Sequence, residues 1–336
     1  MRLLFANPHP YLPDATSGRD ISIHEQALRW RASGIDVAVF AERPGLPTIQ
    51  HDDALGYPVY RAANPVAAFG AALADWKPEI AIYPFGALSL KLVAIGLQNG
   101  VKAALHATSL DGTDLASIPL AMPQIAVITV SDFAARRMET LFGIRPPFVP
   151  PLIEPARYQV ANRGDAVLLV NPNLRKGVEL FFRMAEARPE IPFLAVESWT
   201  INDAWRTVLL NRARSLGNVE LWPAIEDMRE AYARARLVLM PSAYEETFGR
   251  VVAEAQVSGI PALVSDRGAL AETLGAGGTA VPLDAGLDTW LAALDRLWTD
   301  PAFYAQCASA ARAESTSAAR APDRVSEDFL AILRRF

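Results

Sequence analysis

Short apolar runs recur along the chain at intervals that leave room for a helix between neighbouring runs. They lie at residues 3–6, 37–41, 80–84, 103–106 and 125–130 in the first half, and at 167–170, 193–196, 219–222, 237–240 and 262–265 in the second. They lack the strict alternation of a half-exposed strand, which is typical of strands buried on both faces in a parallel sheet. Strands alternating with helices predict a doubly wound α/β fold.

A proline-rich stretch divides this pattern into two halves. Residues 145–151 contain four prolines in seven positions, so they can continue neither a helix nor a central strand. We therefore predict two Rossmann-like domains facing each other across a cleft, an N-terminal one at residues 1–150 and a C-terminal one at 151–319. An amphipathic helix near residues 320–336 is expected to pack back on the first domain. The two halves resemble each other in element order and not in residues.

Composition narrows the function classes. The net charge of -5 over 336 residues argues against nucleic acid as a partner, because that role usually needs a basic domain. A single cysteine, Cys307, excludes a disulfide framework and suits a reducing compartment, so a cytoplasmic location is expected. No run approaches eighteen uninterrupted apolar residues, so no membrane span is expected.

The most informative stretch is residues 241–266, PSAYEETFGRVVAEAQVSGIPALVSD. A strand is predicted to end at Met240 and a helix to begin near Gly249, so backbone N–H groups at the helix start would face an anion such as a diphosphate. Glu246 precedes this helix and Glu254 lies within it. Carboxylates accept paired hydrogen bonds, so one could bind a sugar and the other a vicinal diol. The alternative is that both acids only favour the first turns of a helix.

This stretch resembles the signature of family 4 of the retaining glycosyltransferases, in which two glutamates are separated by seven residues. Glu246 and Glu254 match the two positions. The resemblance implies that Glu246 binds the donor-sugar hydroxyls and Glu254 the ribose hydroxyls, and that Thr247, Phe248 and Gly249 line the phosphate and the sugar. It extends over most of the chain, including residues 130–138, 150–158 and 170–182.

Lys176 and Gly177 match a Lys-Gly pair of the same family, in which the lysine neutralises the leaving diphosphate. A solvated lysine at a helix start is the alternative. This chain departs from the family five residues earlier, where Asn171 replaces the usual arginine. Arg175 is expected to supply the missing charge, and Arg250 is another donor-binding candidate. Fixed cations stabilise charge that develops on a leaving group.

In the first domain, Ser17 and Gly18 lie where the family has a Gly-Gly pair facing the donor phosphate, so Gly18 is assigned to donor binding. The alternative is an ordinary helix cap, because Ser17 and Asp20 have capping-box spacing. A dinucleotide site is excluded here, since no Gly-x-Gly-x-x-Gly sequence follows the first strand.

His106 ends an apolar run and matches a family histidine beside the reacting carbon, so it is assigned a catalytic role; a structural histidine is the alternative. Asp111 and Asp114, in the loop that follows, are weaker candidates for orienting an acceptor hydroxyl.

We expect no metal ion at the site, and membrane contact is the less favoured of two alternatives. The chain has neither an Asp-x-Asp metal motif nor a zinc helix, so we expect a metal-independent site whose co-substrate is a nucleotide-diphosphate sugar and which needs no cofactor. Residues 133–142 mix arginines with bulky apolar side chains and could dock on anionic lipid at the inner membrane. Packing into the core is the favoured alternative.

The sequence thus predicts a retaining glycosyltransferase acting on an unidentified acceptor. The resemblance implies front-face substitution at the anomeric carbon. A sugar-nucleotide epimerase of the same GT-B fold remains an alternative. Because Asn171 replaces the family's arginine, a non-catalytic partner subunit that only binds the donor also remains an alternative.

Overall fold

A computed structural model describes residues 1–110, 124–162, 164–198 and 201–336. The chain divides into two compact units, Met1–Leu152 together with Pro322–Phe336, and Ile153–Ala321. The division follows residue 152, whereas the proline-rich stretch predicted it after residue 150. Asp111 and Asp114, which the sequence offers as acceptor-orienting residues, lie outside the described residues.

The first unit is built on a seven-stranded sheet. Its strands are β1 (Arg2–Pro10), β2 (Asp36–Glu42), β3 (Gln50–Asp52), β4 (Val59–Ala62), β5 (Ile80–Pro84), β6 (Lys102–Ala107) and β7 (Ile125–Thr129). Their spatial order is β3-β4-β2-β1-β5-β6-β7, and the pairs are parallel except for β3 with β4. This is the doubly wound Rossmann order with one antiparallel strand added at the edge.

The second unit has a six-stranded parallel sheet. Its strands are β8 (Ala166–Val170), β9 (Phe193–Val196), β10 (Val219–Trp222), β11 (Ala235–Met240), β12 (Ala262–Ser265) and β13 (Gly278–Val281). The spatial order β10-β9-β8-β11-β12-β13 is the Rossmann order again. The doubly wound α/β class predicted from the apolar runs is therefore confirmed for each unit.

Helices cover the sheets. In chain order they are α1 (Gly18–Ala32), α2 (Pro65–Trp76), α3 (Ala87–Gln98), α4 (Asp132–Phe142), α5 (Val178–Ala187), α6 (Asp203–Leu216), α7 (Arg229–Arg234), α8 (Arg250–Val257), α9 (Leu270–Leu274), α10 (Leu287–Thr299), α11 (Pro301–Ser315) and α12 (Pro322–Arg335). In both units, apolar side chains are buried on the two faces of the sheet. Burial on both faces explains why the strands read as continuous apolar runs.

The last helix, α12, belongs to the core of the first unit. Phe5 of β1 stacks on Trp30 of α1 at 5.4 Å between ring centroids, and Trp30 meets Phe329 of α12 edge-on at 5.3 Å. Gln26 Nε2 donates a hydrogen bond to Ser326 Oγ at 3.1 Å. Helices α1 and α12 therefore cover the same face of the first sheet.

The apolar runs do not predict β3 and β4, because a charged residue lies in the middle of β4. Arg61 is only 2 % exposed. Its guanidinium donates to Asp52 of β3 at 3.1 Å and to the Leu12 carbonyl oxygen at 2.7 Å. A satisfied buried charge holds this edge together, and such a strand carries no apolar pattern.

Strand order reverses once in each sheet, between β1 and β5 in the first unit and between β8 and β11 in the second. In doubly wound sheets, ligands bind outside the carboxyl ends of the strands at this switch point. The loops that follow β8 and β11 carry Lys176 and Glu246, respectively. At the first switch point, Pro84 is the last residue of β5, and Asn7 lies within β1, just after its regular pairing with β2 ends at Ala6.

Within the described ranges, no helix is both long and apolar enough to cross a bilayer. The segment considered for lipid docking forms α4, which buries Ala134, Ala135 and Met138 on one side. Its Arg136 pairs with Asp132 one turn earlier. This helix therefore uses its apolar face in the core of the first unit.

Candidate active site

Every second residue of the loop after β11 directs a polar side chain inward. Ser242 and Glu246 are buried and Tyr244 is half-buried, whereas Ala243 and Glu245 are exposed. Ser242 Oγ donates to Glu246 Oε1 at 2.7 Å, and the Tyr244 hydroxyl donates to Oε2 at 2.7 Å. Alternate residues of a near-extended segment lie on the same side, which explains this pattern. The loop itself therefore fixes the Glu246 carboxylate.

Lys176, from the loop after β8, completes the cluster. Its Nζ lies 2.5 Å from Glu246 Oε1 and 3.1 Å from the Tyr244 hydroxyl. The two charged side chains are only 10 % and 7 % exposed. Charges buried to this extent need partners, because each has lost most of its hydration. Lys176 and Glu246 are thus mutually dependent.

The turn that carries Lys176 is held against the end of β11. The Asn173 side chain accepts a hydrogen bond from the Lys176 backbone N–H at 3.0 Å. Gly177 follows with φ 79°, and a side chain there would collide with the carbonyl oxygen of Pro241. The Lys-Gly pair therefore has a physical reason: only glycine lets the two loops approach closely enough to join the lysine to Glu246.

Arg175 lies on the same aromatic ring as Lys176. Its guanidinium carbon is 4.6 Å from the Tyr244 ring centroid, and Lys176 Nζ is 4.8 Å from it. The Ala243 backbone N–H donates to the Arg175 carbonyl oxygen at 2.8 Å, which ties the two loops together. The structure thus brings Arg175, Lys176 and Glu246 together around Tyr244.

Glu254 forms a second cluster with Arg250, four residues earlier on α8. Arg250 Nε lies 2.6 Å from Glu254 Oε1, and the Tyr232 hydroxyl donates to Oε2 at 2.6 Å. Arg250 also donates to the Tyr158 hydroxyl at 2.8 Å. Burial, together with the adjacent carboxylate, raises the pKa of Tyr232 well above its ordinary value, so the phenol remains a donor. Glu254 thus pairs with a cation and a phenol of its own unit.

The segment between the two glutamates is tightly packed. Thr247 and Phe248 are both buried. Gly249 has φ 93° and immediately precedes α8, and a side chain on it would lie 2.7 Å from Leu270 Cδ2. The helix thus begins one residue after the predicted glycine, and the donor-binding roles of these three residues stay predictions.

Asn171, which replaces the family's arginine, directly follows β8 and has a left-handed conformation with φ 67°. It is 3 % exposed, and neither polar atom of its carboxamide has a hydrogen-bond partner in the described parts of the chain. Asparagine tolerates this backbone conformation better than most residues. An unpaired buried amide at a switch point is a group that a ligand could satisfy.

The other two predicted site residues, Gly18 and His106, lie in the first unit. Gly18 is the first residue of α1, and the alternative of a helix cap is present: Asp20 N–H donates to Ser17 Oγ at 3.3 Å, and Ser17 Oγ donates to Asp20 Oδ2 at 2.6 Å. Gly18's role in donor binding stays a prediction.

His106 lies near the end of β6 with its ring against Phe329, 4.9 Å between centroids. Its Nε2 is buried and has no hydrogen-bond partner among residues that the structure describes. Burial lowers the pKa of His106 to about 4, so the ring is neutral near pH 7. It lines a pocket of the first unit.

Two Rossmann-like units in one chain define the GT-B class of fold. Anabaena HepE, solved in complex with UDP-glucose, matches this chain with a TM-score of 0.82 over 100 % of both chains, at 15 % identity. Residues 171–314 match the model of the family "Glycosyl transferases group 1". The similarity to the group 1 glycosyltransferases thus lies within the second unit and covers less than half of the chain.

Curated relatives match over short stretches. D-inositol 3-phosphate glycosyltransferase of Rhodococcus erythropolis is 36 % identical over 110 residues, covering 31 % of this chain and 25 % of that protein. Alpha-galactosylglucosyldiacylglycerol synthase of Streptococcus pneumoniae is 33 % identical over 101 residues, covering 27 % of this chain and 26 % of that protein. The matched stretch spans about a quarter of each relative's length. Neither the epimerase nor the partner-subunit alternative gains support from these comparisons.

Proposed function

We propose that this protein transfers a sugar from a nucleoside-diphosphate sugar to an acceptor, with retention of anomeric configuration and without a metal ion. One observation carries the proposal. The buried Lys176–Glu246 pair lies at the switch point of a Rossmann-order sheet, within the part of the chain that matches the group 1 glycosyltransferases. A cation for a phosphate and a carboxylate for hydroxyl groups are the two functions that such a donor requires.

Donor binding follows from the charges around Tyr244. Arg175 and Lys176 both lie against the Tyr244 ring, and Lys176 pairs with Glu246. A diphosphate is a ligand for such cations, and a carboxylate such as Glu246 accepts hydrogen bonds from sugar hydroxyls. HepE, which shares the fold, was solved with UDP-glucose, and this supports a nucleotide sugar as donor.

Leaving-group stabilisation is the contribution of Lys176 to rate. Negative charge on the diphosphate grows as the glycosidic bond breaks, so a fixed cation stabilises the transition state more than the bound donor. Arg175 adds a second cation 4.6 Å from the same ring. Fixed side-chain charges of this kind perform the task that a divalent ion performs in metal-dependent transferases.

Glu246 is poorly suited to attack the anomeric carbon itself. Its two oxygens accept hydrogen bonds from Ser242, Tyr244 and Lys176. Hydrogen bonds and an adjacent ammonium stabilise the carboxylate and so lower its nucleophilicity. This supports direct front-face transfer, in which the departing diphosphate takes the acceptor proton, over a glycosyl-enzyme formed on Glu246.

The experiment is calorimetry of the full chain with UDP, GDP and ADP, each with and without excess EDTA. One nucleotide should bind, and its binding and the release of nucleotide from the corresponding sugar nucleotide should survive chelation. Failure of all three nucleotides to bind contradicts the donor class. Loss of turnover in EDTA that magnesium or manganese restores contradicts metal independence.

A further inference from the structure

A buried polar network in the second unit joins the loop of the proposed donor site to the last turn before α12. Its members are Phe248, Gln256 of α8, Thr273 of α9 and Arg320, which ends the short turn Ala318–Arg320. Gln256 and Thr273 are almost fully buried, and the Arg320 side chain is 15 % exposed. Polar groups buried to this extent need hydrogen-bond partners.

The network holds the carbonyl group of Phe248. The Thr273 hydroxyl donates a hydrogen bond to the Phe248 carbonyl oxygen. In a planar trans peptide, the carbonyl and the N–H of the next residue point in opposite directions. The bond from Thr273 therefore fixes the plane of the Phe248–Gly249 peptide and directs its N–H away from the Thr273 hydroxyl. This peptide belongs to the loop that the resemblance assigns to the donor phosphate and sugar.

Gln256 supports Thr273 from α8. Its Nε2 donates to the Thr273 carbonyl oxygen at 3.1 Å and to the Leu274 carbonyl oxygen at 3.0 Å. These two residues end α9, and the last carbonyl groups of a helix have no partner within the helix. The Gln256 amide therefore keeps the last turn of α9 in place, and with it the hydroxyl that holds Phe248.

Arg320 contacts the same residues from the end of its turn. Its Nη1 donates to Gln256 Oε1 at 2.5 Å, and its Nη2 donates to the Thr273 carbonyl oxygen at 2.8 Å. The guanidinium carbon also lies 5.9 Å from the centroid of the Phe248 ring, within the range of a cation–π contact. One guanidinium thus lies against the ring of Phe248 and holds its carbonyl group through Thr273.

The surroundings of Arg320 indicate that its geometry matters more than its charge. Burial lowers the pKa of Arg320 below its ordinary value, because the charged guanidinium loses hydration. The Glu314 carboxylate lies 3.9 Å from Nη2, which is beyond hydrogen-bond distance. The two acceptors that it does reach are neutral. The planar fork of two donors therefore orients these acceptors, and a single ammonium group could not reproduce that geometry.

We propose that Arg320 is a positioning residue of the donor site, which through Thr273 holds the Phe248–Gly249 peptide with its N–H toward the leaving diphosphate. The inference rests on the proposed glycosyl transfer. Arg320 lies one residue before the end of the second unit at Ala321. The chain segment that leads into α12 therefore takes part in organising the donor loop.

The kinetic test compares Arg320→Met with Arg312→Met in the full chain. Arg312 is the matched control, because its Nη2 donates to the Ser258 carbonyl oxygen at 2.9 Å, at the other end of α8 from Phe248. The probes are UDP-glucose, GDP-mannose and ADP-glucose, and nucleotide release from the best of them gives kcat and KM.

Arg320→Met should lower kcat on the order of tenfold and raise KM by less than about threefold, because charge on the diphosphate grows toward the transition state. Arg312→Met should keep both constants within about twofold of the wild type. A loss of structure alone would instead raise KM and lower the unfolding temperature.

The NMR signal of the Gly249 amide separates positioning from stability. Residue-selective labelling of phenylalanine and glycine assigns it. Among UDP, GDP and ADP, the nucleotide that binds the wild type should move this signal downfield, because a phosphate oxygen accepts the hydrogen bond. The shift should be smaller in Arg320→Met and in Thr273→Val, which removes the hydroxyl that holds Phe248. Thr273→Ser keeps a hydroxyl and should retain both the shift and kcat.

Two outcomes overturn the inference: a folded Arg320→Met with wild-type kcat and wild-type Gly249 shift, or equal losses of kcat in Arg320→Met and Arg312→Met. If Arg320→Met does not fold, Thr273→Val and Thr273→Ser decide the question, and equal kcat and equal shifts in these two overturn it. Failure of the donor proposal is a separate result: none of the three nucleotides then binds the wild type, and the inference falls with the proposal.

Discussion

Glu246 and Glu254 have the same spacing as the family's two glutamates but different surroundings. Glu246 is held by Lys176 and by hydroxyl groups of its own loop. Glu254 is held by Arg250 and Tyr232. In both arrangements a buried carboxylate pairs with one cation and accepts from at least one hydroxyl group. The resemblance assigns the first carboxylate to the donor sugar and the second to the ribose.

Glu254→Gln should weaken nucleotide binding while the chain stays folded. The substitution retains an acceptor for Tyr232 but removes the charge that strengthens a hydrogen bond from a ribose hydroxyl, a loss of about 1.5–3 kcal/mol. Calorimetry with the nucleotide that binds the wild type measures the loss of affinity. The control is Glu245→Gln, because Glu245 is a nearby glutamate that is exposed. Unchanged affinity in a folded Glu254→Gln would refute the ribose assignment.

The low pKa of His106 predicts a pH dependence. In the unfolded chain a histidine takes up a proton near pH 6.5, whereas folded His106 resists protonation until about pH 4. Stability is therefore fully present above pH 6.5 and falls as pH decreases from 6.5 to 4, by on the order of 3 kcal/mol. NMR titration of the imidazole should show a midpoint near 4. A midpoint near 6.5 would contradict the burial of Nε2.

Sequence reasoning found the charged residues of the site and missed their neutral partners. Lys176 and Glu246 are conspicuous, because a lysine before glycine and a glutamate before a helix each have a chemical reason. Ser242 and Tyr244 were overlooked, although alternation with Glu246 along one loop could have indicated them. Tyr232 lies 22 residues before Glu254 and meets it only through packing of α7 and α8, which no local pattern reports.

At the scale of secondary-structure elements, all ten apolar runs are strands in the structure, because a strand buried on both faces has a continuous apolar sequence. The apolar pattern did not predict the edge strands β3 and β4, because the Arg61–Asp52 ion pair stabilises them instead of apolar packing. It did not predict the close approach of the loops after β8 and β11 either. This approach depends on one backbone contact at Gly177, and a contact between distant segments has no periodicity.

Gly177→Ala tests that approach. The variant must place a side chain at φ 79° and against the Pro241 carbonyl oxygen, and it should lose about 3 kcal/mol of unfolding free energy together with nucleotide affinity. Gly217→Ala is the matched control in the same unit, with φ 78° and open space around it. It should lose only about 1–2 kcal/mol and keep its affinity. Urea unfolding measures the free energy of unfolding of each variant, and calorimetry measures its nucleotide affinity. Equal effects of the two variants would contradict the loop contact.

At the scale of the whole molecule, the chain uses one sheet topology twice, and each copy presents a buried asparagine at its switch point. The second copy surrounds its switch point with Arg175, Lys176 and Glu246, which suits an anionic donor. The first copy has Asn7 and the neutral imidazole of His106 near its own switch point. The two copies thus differ in the charges that they place at equivalent positions.

The most direct test of this account compares Glu246→Gln with Glu245→Gln. The two acids are adjacent, but Glu246 is buried beside Lys176 whereas Glu245 is exposed. Nucleotide release from the sugar nucleotide that binds the wild type gives kcat for each. We predict that Glu246→Gln lowers kcat on the order of 100-fold, and that Glu245→Gln stays within about twofold of the wild type. Wild-type kcat in a folded Glu246→Gln would contradict the proposed active site.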